Sequence, residues 1–152
     1  MTLIVEERPF AAHRVILAAR SEYFRALLFG GMRESRLNEI ELRDTPLGAF
    51  QFLLRYIYTG QINLGKLKDD LIVDILGLAH QYGFQDLEGA ISDYLKAILN
   101  IRNVCFIYDT ASLYQLDNLK TSCSLYMDRH AVEIIKHESL NSLSAVSYEP
   151  KI

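Results

Sequence analysis

The sequence has no tryptophan, only two cysteines, and no marked surplus of either charge. Two cysteines are too few for a disulfide framework. Because Cys105 and Cys123 lie within helical apolar patterns, they are predicted to be buried free thiols. A reducing compartment, cytosolic or nuclear, follows, and we expect the cytoplasm. No apolar run reaches the roughly 18 residues of a membrane helix and no secretory leader is visible, so neither membrane insertion nor secretion is expected.

The charges and motifs also argue against several functions. The 16 basic and 19 acidic residues are spread evenly, which leaves no basic stripe for binding nucleic acid. Gly30-Gly31 lacks the lysine and serine or threonine of a phosphate-binding loop, so a turn between two elements is a sufficient explanation for the two glycines. His13 and His80 have no nearby nucleophile motif, which favours structural packing or backbone hydrogen bonding for both. We expect no catalytic residues, no cofactor and no enzyme.

One metal-like pattern occurs near the end of the chain. His130, Glu133 and His137 could share one helical face within reach of a metal ion. Because no cysteine or second carboxylate cluster lies at ligand spacing, a solvated helix face is favoured. No metal site is predicted.

An apolar stretch from Phe10 to Leu28 organises the chain. It predicts a helical hairpin with almost no face free for solvent, in which Ser21 caps the second helix. The β-branched run 2–5 predicts a strand, paired through a turn with a short strand near Phe10. Residues 39–43 alternate charged and apolar side chains, which is typical of a half-buried strand.

Further helices follow this hairpin and strand. Thr45-Pro46 is a strong start signal, with the Thr45 hydroxyl as cap and Pro46 as the first helical residue, and Gly60 ends that helix. The apolar spacing of residues 71–82 predicts another helix, which ends at Gly83, and residues 87–98 form its partner.

Residues 79–95 recur 32 positions later. Matched spacing predicts two similar helical hairpins stacked side by side, with a rigid junction near Asn100. Residues 131–144 predict one more helix, and residues 145–152 a disordered tail. The equivalent pairs are Ala79 and Ala111, Tyr82 and Tyr114, Phe84 and Leu116, Leu87 and Leu119, Ile91 and Cys123, Tyr94 and Tyr126, and Leu95 and Met127.

Four ordered stretches match the motifs of a known family: residues 10–21 with Tyr23-Phe24, Gly31-Met32-Arg33-Glu34-Ser35, Tyr56-Ile57-Tyr58-Thr59-Gly60 and Ala79-His80-Gln81-Tyr82-Gly83-Phe84. Over roughly residues 2–144 the chain resembles the BTB (POZ) domain family. The resemblance implies an α+β, mostly helical fold, in which helical hairpins carry a small sheet at one side and the stacked helices of an incomplete BACK domain follow. It implies a BTB domain over 1–98, a partial BACK domain over 99–144 and a tail over 145–152.

The resemblance also leads to an expectation about assembly. BTB domains commonly carry a helix before the first strand, and this helix builds much of the homodimer interface. The chain is expected to lack it, so a homodimer of the full-length protein is expected to be weakened here.

A candidate partner-binding site follows the glycine turn. Met32 is an adaptable apolar side chain and Glu34 a nearby carboxylate, although the tripeptide alone favours an ordinary surface turn. Family adaptors for cullin-3 ubiquitin ligases carry a hydrophobic-x-Glu motif at this place, and the resemblance implies that Met32 and Glu34 contact cullin-3. It also implies that Tyr58 and Tyr82 widen the same surface.

Two alternatives to the ligase adaptor stay open. The chain could be a BTB oligomerisation or scaffold module with no ligase role, or a truncated form that competes for a partner. The substrate protein is not predicted.

Overall fold

The computed structural model describes residues 1–31 and 37–135, which form three strands and eight helices, so the predicted mostly helical α+β class is confirmed. Across those two ranges no helix is long and apolar enough to cross a membrane. The chain divides into two compact units, one spanning Met1–Glu88 and one that begins at Gly89. In chain order the elements are β1 Thr2–Val5, β2 Arg8–Ala11, α1 Arg14–Arg20, α2 Glu22–Phe29, β3 Glu39–Leu42, α3 Leu47–Thr59, a short 3-10 turn Leu64–Lys66, α4 Asp69–Gln81, α5 Gln85–Ala97, α6 Val104–Leu113, α7 Asp117–Arg129 and α8 Ala131–Ile135.

The three strands form one sheet with the order β2-β1-β3. The central strand β1 is antiparallel to β2 and parallel to β3, so Leu3 lies opposite both Phe10 and Ile40. Since side chains alternate along a strand, the buried residues Leu3 and Val5 share one face with the buried residues Ile40 and Leu42. That face joins the core, and the predicted strands are confirmed.

The turn between β1 and β2 also caps a helix. Glu6 and Glu7 both have positive φ angles, 48° and 67°, as a two-residue type I′ hairpin turn requires. The Glu6 side chain extends away from the turn, and its Oε2 accepts a hydrogen bond from the Leu47 N–H at 2.5 Å. Leu47 is the first residue of α3, so a distant carboxylate satisfies one of the free amides at that helix end.

This finding corrects the predicted start of α3. The Thr45 hydroxyl makes no capping bond; it donates to the Arg43 carbonyl oxygen at 3.0 Å and lies 2.5 Å from the Tyr82 hydroxyl. Pro46 occupies the N-cap position rather than the first helical position. The hydroxyl is engaged by a residue 37 positions away, which local spacing does not reveal.

The helical hairpin α1–α2 is confirmed, but not its complete burial. The Ser21 Oγ accepts a hydrogen bond from the Phe24 N–H at 3.2 Å and caps α2, as predicted. In α1, however, Leu17 is the buried residue, and Val15 is 73% exposed. A two-turn helix on one core buries only one stripe, so the apolar run does not make every face internal.

A repeated helix ending confirms the internal repeat. After α4, Gly83 has a φ of 76°, the Phe84 N–H donates to the Ala79 carbonyl oxygen at 2.8 Å, and the Gly83 N–H donates to the His80 carbonyl oxygen at 3.4 Å. These two bonds define a Schellman ending.

The same ending follows α6, 32 residues later. Gln115 has a φ of 56°, the Leu116 N–H donates to the Ala111 carbonyl oxygen at 2.8 Å, and the Gln115 N–H donates to the Ser112 carbonyl oxygen at 3.4 Å. The helices that follow, α5 and α7, also keep the offset, at Gln85–Ala97 and Asp117–Arg129. Four of the seven equivalent pairs are buried in both hairpins: Ala79 and Ala111, Leu87 and Leu119, Ile91 and Cys123, and Leu95 and Met127.

The two endings differ in the residue that adopts the left-handed conformation. Glycine does so at no steric cost, whereas glutamine carries a penalty of roughly 1 kcal/mol. We expect Gln115→Gly to raise the free energy of unfolding by about that amount. Gly83→Ala is expected to lower it similarly, because alanine is strained at a φ of 76°. No clash adds to this penalty, since a Cβ at Gly83 would meet nothing nearer than 4.0 Å. Urea denaturation of both variants measures the two effects. Equal effects of the same sign would contradict this account.

A candidate protein-interaction surface

Residues 32–36, which we call the docking segment, include the predicted cullin contacts Met32 and Glu34. Both lie outside the described residues, so the structure defines only the flanks. On the preceding side, Gly30 ends α2 by donating its N–H to the Ala26 carbonyl oxygen at 2.9 Å. A Cβ at Gly30 would come within 2.2 Å of that oxygen, and Gly31 has a φ of 76°. Two glycines are therefore required where α2 leads into the docking segment.

On the following side, the chain is held by α1 and β1. Arg14, the first residue of α1, donates a hydrogen bond from Nη2 to the carbonyl oxygen of Leu37. The next carbonyl, of Asn38, accepts a hydrogen bond from the Thr2 N–H at 2.7 Å. Both flanks of the docking segment are thus attached to elements of the Met1–Glu88 unit.

Tyr58 lies near the end of α3 with 39% of its surface exposed. Its hydroxyl oxygen lies 2.9 Å from the His13 N–H, which donates to it, and 2.9 Å from His13 Nδ1. The two rings meet edge to face with centroids 5.9 Å apart. His13 is the N-cap residue of α1, so the contact joins the start of α1 to the end of α3. Tyr58 is accessible, and its contact with a partner stays a prediction.

Tyr82 is not on the surface, which corrects the expectation that it widens the docking face. It is 1% exposed, its ring stacks on Phe24 at 5.2 Å, and its hydroxyl lies 2.5 Å from the Thr45 hydroxyl. Its carbonyl oxygen accepts a hydrogen bond from the Ser21 hydroxyl at 2.6 Å. Burial raises the pKa of Tyr82, and the hydrogen bond with Thr45 opposes that shift. Tyr82 therefore belongs to the core.

A surface cavity of about 380 Å³ opens between α2, α3 and the start of α5, and sequence patterns did not indicate it. Its apolar wall contains Phe84 and Leu87, which are buried, and Tyr56, whose ring meets Phe84 at 6.4 Å. Its polar rim contains Arg20, whose Nε donates to the Ile57 carbonyl oxygen at 3.0 Å, together with Glu22 and Asp86. An apolar wall with charged groups at the rim suits a side chain from another protein.

The outer side of α2 adds apolar area that the predictions also missed. Tyr23 is 43% and Phe29 56% exposed, and Phe29 immediately precedes Gly30-Gly31. The position of Phe29 beside the glycine turn was the sequence signal that could have identified it. Helix α2 has eight residues and a length of roughly 12 Å, and it runs from Glu22 at the cavity rim to the docking segment.

The histidines contact protein side chains. His80 Nδ1 lies 2.8 Å from Glu88 Oε2, and the His130 ring lies 4.3 Å from the Tyr126 ring and 3.6 Å, by Nδ1, from Glu133 Oε2. His137 is outside the described residues. Within residues 1–31 and 37–135, no three histidine, cysteine or acidic side chains are grouped to hold a metal ion.

The two thiols are buried and free, as predicted. Burial raises the pKa of both, that of Cys123 to about 12, and the neighbouring Cys105 adds to the shift of Cys123. A thiol with so high a pKa is a poor nucleophile at neutral pH.

The family model of the BTB/POZ domain matches residues 1–99. The chain therefore belongs to the BTB/POZ domain family, as its motifs predicted, and a BTB domain is a protein-interaction module.

Two similar relatives are both BTB/POZ domain-containing protein 9. The protein from Drosophila melanogaster is 56% identical over 146 residues, which is 96% of this chain and 20% of the relative. The protein from Homo sapiens is 54% identical over 145 residues, which is 95% of this chain and 24% of the relative. The chain thus spans about a fifth to a quarter of the relatives that it matches.

A solved structure shows the same fold. The BTB domain of human gigaxonin superposes with a TM-score of 0.54 at 28% sequence identity, covering 62% of this chain and 75% of that domain. This agreement confirms the predicted BTB fold.

The buried hydroxyl of Tyr82 generates a stability prediction. Tyr82→Phe removes a buried hydrogen bond and is expected to lower the free energy of unfolding by about 1 kcal/mol. Tyr58→Phe is the matched control, because the hydroxyl that it removes is at the surface and water replaces the lost bond. Chemical denaturation compares the two. A loss for Tyr82→Phe no larger than that for Tyr58→Phe would contradict the role of the buried pair.

The thiol pKa generates a pH prediction. Below pH 9.0, the ordinary thiol pKa, Cys123 is protonated in both the folded and the unfolded chain. As the pH rises from 9.0 toward about 12, the unfolded chain loses this proton while the folded chain keeps it, so stability falls. We expect a shallower fall for Cys123→Ala, measured by urea unfolding between about pH 8 and pH 10.5. The variant comparison removes the contribution of the tyrosines, and identical pH slopes would disprove the assignment.

Proposed function

We propose that the chain is the partner-binding module of an adaptor that recruits substrates to a cullin-3 ubiquitin ligase. The docking segment supplies Met32 and Glu34 to the cullin, and Tyr58 is a further contact. Substrate binding belongs to other parts of the full-length protein. The module catalyses no reaction and acts by proximity, since it raises the concentration of a substrate near an enzyme that another subunit brings.

The observation that carries this proposal is the pair of exposed aromatic residues near the two ends of α2. Tyr23 and Phe29 are exposed on this helix, the cavity opens at its first residue, and the docking segment follows its last. A span of roughly 12 Å corresponds to about two turns of a partner helix. Helix-in-groove recognition uses apolar anchors at this spacing with polar groups around them.

The charged rim of the cavity supplies specificity. Glu22 lies 3.7 Å from Arg25, but both side chains are largely exposed, so this ion pair is weak and a partner can displace it. Asp86 and Glu22 give the cavity rim a surplus of negative charge over Arg20. A cationic or hydroxyl-bearing side chain of the partner therefore suits this rim.

The remaining assignments extend the same proposal. Residues 99–144 are proposed as part of a BACK domain, because the family model ends at residue 99 and the α6–α7 hairpin repeats the α4–α5 hairpin. The buried reduced thiols support a cytoplasmic location.

Two substitutions test the cullin contact. Met32→Ala and Glu34→Ala are each expected to weaken binding to the N-terminal domain of cullin-3 by about tenfold or more, as for a hot-spot residue. The matched controls are Val15→Ala, which removes an apolar side chain exposed on α1, and Glu41→Ala, which removes an exposed carboxylate on β3. Calorimetry gives the affinities. Unchanged affinity in both docking variants, or no binding by the unmodified chain, would refute the proposal.

The oligomerisation alternative has a separate readout. BTB domains also act generally as dimerisation modules, so the chain could serve as a scaffold with no ligase partner. Light scattering over a range of concentrations measures the mass. A dimer independent of concentration, together with no cullin binding, would favour the scaffold.

A further inference from the structure

The two outer strands of the sheet differ in how well their free edges are protected. In the order β2-β1-β3, β1 is paired on both sides, whereas β2 and β3 are each paired on one side. A free edge presents backbone N–H and C=O groups that can pair with another strand, and proteins commonly protect such edges with proline or with charged side chains. The two edges of this sheet use one device each.

Proline protects the edge of β2. Met1 and Ala12 exchange two backbone hydrogen bonds, at 3.2 Å and 3.0 Å, and this pair sets the alternation of bonded positions along β1 and β2. Counted from that pair in the observed register, Pro9 lies at a position whose backbone faces away from β1. Because proline has no N–H, this edge lacks a donor and suits a further strand poorly.

The edge of β3 contains no proline. The Thr2 N–H donates to the Asn38 carbonyl oxygen at 2.7 Å, and Thr2 lies opposite Glu39. In a parallel pair, a residue of one strand bonds to the two neighbours of the residue opposite it, so Asn38 and Ile40 direct backbone groups toward β1. The N–H and C=O groups of Glu39 and Glu41 consequently face the free edge.

The same two residues give this edge a negative charge. Glu39 and Glu41 are exposed, whereas Ile40 and Leu42 are buried in the core. The two carboxylates lie on the outer face of the sheet, roughly 7 Å apart along the strand. In the part of the chain that the structure describes, neither carboxylate forms an ion pair with a basic side chain. Backbone groups that can pair with a strand therefore lie beside two carboxylates that repeat with the period of a strand.

A second copy of β3 fits this edge poorly. When two copies of one strand pair in antiparallel fashion with their apolar faces on the same side, the twofold axis lies beside one residue. An axis beside Ile40 places Glu39 opposite Glu41, and an axis beside Glu41 places Glu41 opposite itself. Like charges directly opposite each other are destabilising. Charge complementarity instead favours a strand with basic side chains.

We propose that the free edge of β3 binds an extended basic segment of another protein, in which lysine or arginine occupies every second position. The segment continues the sheet: its backbone pairs with the N–H and C=O groups of Glu39 and Glu41, and its cationic side chains lie opposite the two carboxylates. In this mode of recognition, main-chain bonds supply affinity and alternate side chains supply specificity. The inference is independent of the proposed function, because neither glutamate takes part in the cullin contact.

The test uses the isotope-labelled complete chain and a short peptide in which lysine alternates with valine. The largest amide resonance shifts are expected at Glu39 and Glu41, together with slower hydrogen exchange there. A peptide of the same composition with its lysines grouped at one end keeps the charge but loses the period, and is expected to bind at least about threefold more weakly. A fully N-methylated alternating peptide has no backbone donors and is expected to bind at least about tenfold more weakly.

Paired substitutions test the charge. Glu39→Lys with Glu41→Lys is expected to bind the lysine peptide at least about tenfold more weakly, and to gain binding of a peptide in which glutamate alternates with valine. Glu39→Gln with Glu41→Gln keeps the side-chain size and is expected to lie between this variant and the unmodified chain. The matched control, Asp93→Lys with Glu133→Lys, changes the net charge equally at exposed carboxylates of α5 and α8 and is expected to stay within about twofold.

Four results would overturn the proposal. Equal binding of the alternating, grouped and methylated peptides would show attraction of cations without strand pairing. An equal loss in the control variant would show that net charge decides the affinity. Shifts at Glu39 and Glu41 that depend on protein concentration in the absence of peptide would assign the edge to a second copy of the chain. No binding, or resonance shifts confined to other elements, would show that this edge is not a docking site.

Discussion

The Met1–Glu88 unit depends on a buried polar contact between the hydroxyls of Tyr82 and Thr45, 2.5 Å apart. A second contact adjoins it, because the Ser21 hydroxyl donates to the Tyr82 carbonyl and also caps α2. A buried hydroxyl without a partner costs about 1–3 kcal/mol, so these groups must be brought together as the core forms. The start of α2, the end of α4 and the approach to α3 are thereby fixed relative to one another. The exposed side of α2 is in turn held where a partner can reach it.

The fold could largely be predicted wherever the decisive interaction is local. Ser21 caps the helix that begins beside it, and Gly60 and Gly83 end helices with positive φ angles of 71° and 76°. The offset of 32 residues is equally local, because apolar spacing and the Schellman ending both lie within one hairpin. In each case the residue and its partner are at most a few positions apart.

The prediction failed where the partner is distant. The amide of Leu47 is capped by Glu6, 41 positions away, and the hydroxyl of Thr45 is bound by Tyr82. Thr45 satisfies the local rule for an N-cap residue, yet its contact with Tyr82 leaves its hydroxyl unavailable for capping. The exposure of Val15 has a similar cause, since apolar character indicates a preference for burial but not which face of α1 meets the core.

The sequence indicated where along the chain the candidate site lies, but it did not indicate which side chains are exposed there or that a cavity adjoins it. A motif placed the docking segment beside the glycine turn, whereas membership of a motif did not distinguish the buried Tyr82 from the exposed Tyr58. The cavity combines residues of α2, α3 and α5, so no single stretch contains its pattern.

Glu6 forms part of the hairpin turn and also caps α3, which has a practical result. A hairpin tip is ordinarily a tolerant position for an inserted tag or reporter peptide. Here the tip also supplies the cap of α3, so lengthening it would displace that carboxylate, and a label is better placed on the exposed polar surface of α7.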